Sequence, residues 1–331
     1  MFAQLPFEIV DHIVGYLDIK DVRSIARVCS AFRLPAQLRL FRAIRFASSA
    51  NKPYPDRIES ILSTPHLLQY LSHLEVLCSD STHQTSFHSL LPRLPRLSSM
   101  EIHLYLGDCS RALSALEGLG SEKKITLSLG RALDPNLLIS NNPLPVHSLK
   151  SYLDAPNHQV ATRLIQKCSQ SLSKLTLILK DNATPPLPFL PHLCELFVRS
   201  YCNDLDLMSW FPFLYQHPTI TRISLGGFTS AVQPSPNLLP NLQFLEAAPQ
   251  IIGWLIPGRP VNHIRATYNY QTTDRFLNDI MFRPLRQSFV SVTVLAILTN
   301  VPFPNDVLIN IDQALPKLRK FILRWTCYEV R

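Results

Sequence analysis

Leucine recurs along this chain at a spacing that an ordinary single core does not impose. Segments of the form L-x-x-L-x-x-L-x-L, with drift, run through Leu68/Leu71/Leu74/Val76, Leu94/Leu97/Met100/Ile102, Leu172/Leu175/Leu177, Leu190/Leu193/Leu196/Val198, Leu239/Leu242/Leu245 and Leu315/Leu318/Phe321/Leu323. Fragments at Ile125/Leu127, Leu149/Tyr152, Ile220/Ile223/Leu225, Ile264/Ala266 and Val292/Leu295/Ile297 fill the gaps. The strand-start position of each unit falls at residues 74, 100, 125, 152, 175, 196, 223, 245, 264, 295 and 321, in steps of 19 to 31 residues. Each motif ends in apolar/polar alternation, the period of a short strand. One such unit cannot bury its own leucines, whereas a stack of neighbours can.

A period of about 20 to 29 residues is that of leucine-rich repeats. The two steps outside that window, 19 and 31, are adjacent and together make two normal repeats. The Asn or Cys that usually closes each turn is missing, so the repeats are degenerate. The expected fold class is α/β repeat: an irregular solenoid over residues 68–331 with a parallel concave sheet, a globular α/β fold being the alternative. With 27 Pro against 9 Gly, the connections should be irregular loops and 3₁₀ turns. Positions alternating away from the leucines face outward, and an extended sheet face suits protein recognition. The candidates for holding a target are Glu101, His103, Lys180, Phe197, Arg199, Glu246, Arg265 and Arg324. Phe197 is distinctive because an exposed aromatic can anchor an interface. No capping pattern is visible after the strand-like run Arg319–Trp325.

The first fifty residues read differently. Leu5, Ile9, Ile13 and Leu17 recur every four residues, with Val10, Val14 and Tyr16 widening the stripe and Pro6 at the first turn, the pattern of an amphipathic helix. Asp18 stands at a second helix start, before Val22, Ile25, Ala26 and Cys29. A third apolar cluster, Leu38, Leu40, Phe41 and Ile44, follows a break at Leu34-Pro35. Three helices this short are marginal alone and should pack on something larger.

The run Leu5-Pro6-x-Glu8-Ile9, Ile13, Tyr16-Leu17-Asp18, Asp21-Val22, Val28-Cys29, Phe32 and Leu40-Phe41-x-x-Ile44 resembles the F-box motif nearly position for position. Val22 replaces the usual Leu, Ser30 a common basic residue and Phe32 a frequent Trp. With the repeats, the whole resembles a fungal-type F-box family with degenerate leucine-rich repeats. The chain then divides into three segments: an F-box-like helical domain at 1–47, a linker at 48–67 marked by the Pro-containing stretch Asn51–Asp56, and the repeats at 68–331. The resemblance further implies docking on the Skp-type adaptor of a cullin–RING ubiquitin ligase, and through it on the cullin scaffold. By motif position, the adaptor-binding residues are Leu5, Pro6, Ile9, Ile13, Leu17, Val22, Val28 and Cys29. The chain would then be a substrate receptor that holds a protein target, with no catalysis of its own. An F-box protein acting outside any ligase is the alternative.

The rest of the sequence bounds these readings. Glu8 and Asp11 interrupt what a signal peptide would need as an apolar stretch, and no run is apolar enough for a membrane span. Seven cysteines without a C-x-x-C pair read as reduced thiols, so the expected location is cytoplasm, nucleus or both. No phosphate-loop, zinc-hydrolase or nucleophile-elbow motif occurs, so no cofactor, metal or catalytic residue is expected. The net charge is +8, with Lys20, Arg23, Arg27, Arg33, Arg39, Arg42 and Arg45 crowding the first segment. A basic helical head that binds nucleic acid is the third and least favoured reading, because no basic run with interleaved aromatics appears.

Overall fold

The structure, a computed structural model, describes residues 5–46, 64, 68–78, 89–107, 110–133, 142–154, 158–181, 186–202, 205–229, 232–235, 237–268, 281–299 and 311–325. They fall into two compact units, Met1–His147 and Ser148–Arg331. The linker expected at 48–67 lies outside the described residues except for Thr64.

The first unit opens with three helices: α1 (Phe7–Tyr16), α2 (Ile19–Val28) and α3 (Ser30–Arg42). Pro6 precedes α1, where its missing N–H costs nothing. Asp18 caps α2 as expected, its Oδ1 accepting the backbone N–H groups of Lys20 and Asp21 at 2.8 Å each. Val10, Val14, Val22, Phe32 and Ala36 close a small core, with Leu17, Ile25, Ala26, Cys29 and Leu40 packed around it.

Two expectations are corrected here. The break after the second helix falls at Cys29, whose backbone is extended, and α3 runs straight through Pro35. Pro35 is buried beside Ala36, so packing offsets the lost helix bond. Ile44 belongs to no helix but to β1 (Ala43–Phe46), which starts a sheet. β2 (His73–Cys78), β3 (Ser99–Gly107) and β4 (Lys124–Leu133) follow, each parallel to the one before, with Ile44, Leu74, Met100 and Ile125 in register. The helix Ser110–Glu117 buries Ala112, Leu113 and Leu116 on the way to β4.

The second unit holds eight parallel strands: β5 (Val146–Leu153, from Ser148 onward), β6 (Lys174–Leu179), β7 (Glu195–Ser200), β9 (Arg222–Gly226), β11 (Phe244–Ala247), β12 (His263–Tyr268), β13 (Val294–Thr299) and β14 (Lys320–Trp325). These strands are hydrogen-bonded in chain order and all parallel. The two-residue strands β8 (Leu205–Asp206) and β10 (Phe228–Thr229) pair only with each other. Short helices at His158–Cys168, Phe211–Gln216 and Pro249–Leu255 return the chain between strands.

Leu149, Leu175, Leu196, Ile223, Leu245, Ile264, Leu295 and Phe321 form one row across this sheet. All but Phe321 are fully buried, and burial of such side chains contributes roughly 1.5–3 kcal/mol each. The position taken at 152 is corrected: Leu149 occupies the buried row, and Tyr152 lies half-buried on the opposite face. Several L-x-x-L segments are tight turns in which one leucine N–H donates to the carbonyl three residues back, as at Leu71→Leu68, Leu193→Leu190 and Leu242→Leu239. Where an Asn or Cys was sought, the residue before each strand bonds its predecessor: Thr221 N–H to Cys194 O, Gln243 to Thr221, Asn262 to Gln243 and Thr293 to Asn262.

Two buried polar side chains tie the irregular segments of this unit. His217 accepts the Leu190 N–H at Nε2 (2.8 Å) and meets the Phe213 carbonyl at Nδ1 (2.6 Å), which fixes the proton on Nδ1. Burial pushes its pKa below the ordinary 6.5, against a smaller upward pull from the Phe213 carbonyl. Arg259, only 1% exposed, donates to the carbonyls of Leu238 (2.6 Å), Ser235 (2.9 Å) and Pro257 (3.0 Å). Burial pulls its pKa down to about 10.

Candidate functional site

At 100° per residue α1 carries two apolar stripes. Val10, Val14 and Leu17 turn inward to the head's core, while Ile9, Ile13 and Tyr16 face solvent. Leu5 and Pro6 lead into the second stripe, and both are exposed. Ile9 is 49% exposed, Val28 81% and Tyr16 79%, and Phe7, Ile19 and Leu34 are exposed too. Of the expected adaptor-binding residues, then, Leu5, Pro6, Ile9, Ile13 and Val28 are open to a partner. Leu17 and Cys29 are half-buried against the core. Val22, also expected to bind the adaptor, is 0% exposed and belongs to the head's own core with Val14 and Phe32. A head that has closed its own core and still exposes this many large apolar side chains presents an interaction surface. Covering Ile9 and Ile13 would contribute about 1 kcal/mol each.

The basic residues of the head are partly spent inside the unit. Arg39 donates to the Val14 carbonyl, and Arg45 pairs with Glu75 at 3.0 Å.

The candidate target residues lie on sheet faces. In the first unit Glu101 and His103 pair with each other at 3.1 Å, and His103 also approaches Glu75 at 3.9 Å. The other six belong to the second unit. Lys180, exposed just beyond β6, pairs with Asp154 at 3.1 Å. Phe197 is half-buried, its ring under the Lys174 ammonium at 4.9 Å. Arg199 is exposed and lies 5.9 Å from the Tyr201 ring. Glu246 and Arg265, on neighbouring strands, pair at 3.4 Å. Arg324 is exposed on β14.

With this geometry in place, the comparison with protein families decides what the head is. Residues 2–47 match the F-box-like family model. The match covers the three helices and β1, and so includes every exposed apolar residue named above. The chain thus carries an F-box-like domain, a module of protein interaction whose members generally bind Skp-type adaptors. No curated protein matches the chain. Among the described residues no helix is long and apolar enough to cross a membrane.

Outside the F-box-like head, one row of residues on the outward sheet face escaped the sequence reading; all but Phe244, which its neighbours bury, reach solvent. Lys174, Glu195, Arg222, Phe244 and His263 each stand one position before the buried row, at the first residue of their strands. Counting the period-two alternation backward from Leu175, Leu196, Ile223, Leu245 and Ile264 finds them; counting forward, as above, misses them. Glu195 links Lys174 (3.3 Å) and Arg222 (3.5 Å), and the Arg222 guanidinium covers the Phe244 ring at 4.6 Å. Burial, and then the charges of Arg222, Arg265 and Lys320, lower the pKa of His263.

Proposed function

We propose that this chain is a noncatalytic substrate-receptor subunit of a cullin–RING ubiquitin ligase. The F-box-like head docks on the Skp-type adaptor through Leu5, Pro6, Ile9, Ile13 and Val28. The parallel strands behind it form degenerate leucine-rich repeats, a solenoid whose outward sheet face holds a protein target. The mechanism is proximity: holding the target near the ubiquitin-charged enzyme raises the effective concentration of its lysines, and no cofactor takes part. Work of this kind belongs in the cytoplasm or nucleus.

One observation carries the reading: the family match coincides with a second apolar stripe on α1 that the head's own core does not use. The test is to purify the intact chain from cells with its companions and to supply ubiquitin-activating and ubiquitin-conjugating enzymes. Adaptor, cullin and a co-purifying protein that becomes ubiquitinated only when the first fifty residues are present are the expected result. Adaptor binding without any ubiquitin transfer would instead assign the chain to interactions outside a ligase.

A further inference from the structure

The second unit's outward face has a charge pattern that its target must match. In register across the sheet, the first outward row reads Lys174, Glu195, Arg222, Phe244, His263, Val294 and Lys320. A cation or an imidazole therefore stands on every second strand. Neighbouring strands are about 4.8 Å apart, so these groups repeat at about 9.6 Å. The next rows add Lys150, Arg199, Arg265 and Arg324. Against them stand, among the described residues of these strands, Glu195 and Glu246, both already paired with neighbouring cations, and just past β5 Asp154, paired with Lys180. Among the described residues Lys150, Arg199, Lys320 and Arg324 have no carboxylate partner in an ion pair.

The cations are also held outward. Phe197 lies under Lys174 and Phe244 under Arg222, each within cation–π range. Lys174 and Arg222 keep 44% and 46% of their side-chain surface exposed. The lowered pKa of His263, caused in part by Arg222, Arg265 and Lys320, is a local sign of the same positive field.

We propose that this face binds an extended acidic segment of a partner protein, lying across the strands with an acidic residue at every third position. A polyproline-type chain has three residues per turn and rises 3.1 Å per residue, so its same-face side chains repeat at about 9.3 Å. That spacing meets Lys174, Arg222 and Lys320, with the His263 imidazole as a hydrogen-bonding rung between the last two. Of the intervening rungs, half-buried Val294 receives an apolar or neutral residue, while Phe244, only 6% exposed, stays covered beneath Arg222. A nucleic-acid strand fits less well: its phosphates are charged at every step and would run over Glu195 and Glu246. The inference rests on the reading of this face as the target-binding surface and names the class of target.

The test uses the full chain bound to its adaptor and a fluorescent proline-rich peptide with Glu at every third position. A second peptide of the same composition has its Glu residues clustered at one end, and oligouridine is the third probe. The periodic peptide is expected to bind at least about tenfold tighter than the clustered one, to weaken with added salt, and to lose at least about tenfold in Arg222→Glu. Equal binding of the two peptides, tighter binding of oligouridine, or an unchanged affinity in a normally melting Arg222→Glu protein overturns the proposal. If Arg222→Glu melts early, Lys320→Glu on the exposed strand β14 carries the same expectation. Adaptor binding is followed in the same samples. Its absence with periodic-peptide binding intact would remove the ligase reading and leave this one, and the reverse result would do the opposite.

Discussion

Acid should loosen the second unit through His217, and the size of the effect follows from its two hydrogen bonds. Nε2 must stay unprotonated to accept the Leu190 N–H, while Nδ1–H serves the Phe213 carbonyl. Protonation would set N–H against N–H and strand a charge between the rings of Phe213 and Phe189, whose centroids lie 4.1 Å and 5.3 Å away. Burial lowers the pKa of the folded ring below 6.5. Above that value the ring is neutral whether folded or unfolded, and the full stability is present. As the pH falls below it, the unfolded chain takes up a proton that the folded ring refuses. Stability then drops by at most about 1.4 kcal/mol per pH unit, until the folded ring titrates as well. His263 is shifted in the same direction, so the wild-type profile alone does not isolate His217.

The decisive comparison is the cost of His217→Ala at two pH values. Near neutral pH the substitution leaves a buried N–H and a buried carbonyl unpaired and opens a cavity, together about 3 kcal/mol. One pH unit below 6.5, the wild type has lost up to about 1.4 kcal/mol that the variant cannot lose, so the cost shrinks by that amount. Urea unfolding followed by near-ultraviolet circular dichroism measures both. A cost that is constant with pH, or that grows in acid, would refute the reasoning.

Other expectations follow from the same geometry. Arg259→Met should destabilise the second unit by about 2 kcal/mol or more, because it takes the donor from the Leu238 and Pro257 carbonyls and leaves the Ser235 carbonyl with the Leu238 N–H alone. Arg259→Lys should recover less than half of that in the same urea experiment, since an ammonium cannot span the fork. Asp18→Ala removes the two N–H contacts at the start of α2 and should cost about 1 kcal/mol in the thermal melt of the head. The buried Cys168 thiol, pushed up to about 12 by desolvation, should resist iodoacetamide in the native protein while the exposed Cys194 reacts; peptide mapping before and after urea reads both sites.

Much of this architecture could be read from the residues. The buried row from Leu175 to Leu295 repeats because each strand needs the same face covered, and stacking imposes that need on every unit alike. Leu149-x-x-Tyr152 was misplaced because both residues fit an alternating strand, and only pairing with Leu175 decides which one faces inward. Pro35 looked like a helix end because its local cost is visible in sequence, while the packing that offsets it is not. Val22 and Ile9 are both apolar residues at helical spacing. Which one closes the core and which one faces outward depends on where α3 lies, a tertiary fact. Arg259 gave no signal at all, since its partners are backbone carbonyls, two from the turn at Ser235–Leu238 and one at Pro257.

Everything proposed for the head rests on a division within α1 and its flanks between residues that hold the domain together and residues that meet the adaptor. Isothermal titration of the purified chain with a Skp-type adaptor tests this division directly. Ile9→Ala, Ile13→Ala and Val28→Ala should each weaken binding about tenfold or more while leaving the melting temperature of the head unchanged. Val14→Ala and Val22→Ala should lower the melting temperature instead. Full adaptor affinity in an Ile9→Ala/Ile13→Ala double variant, or no measurable binding by the wild type, would contradict the account.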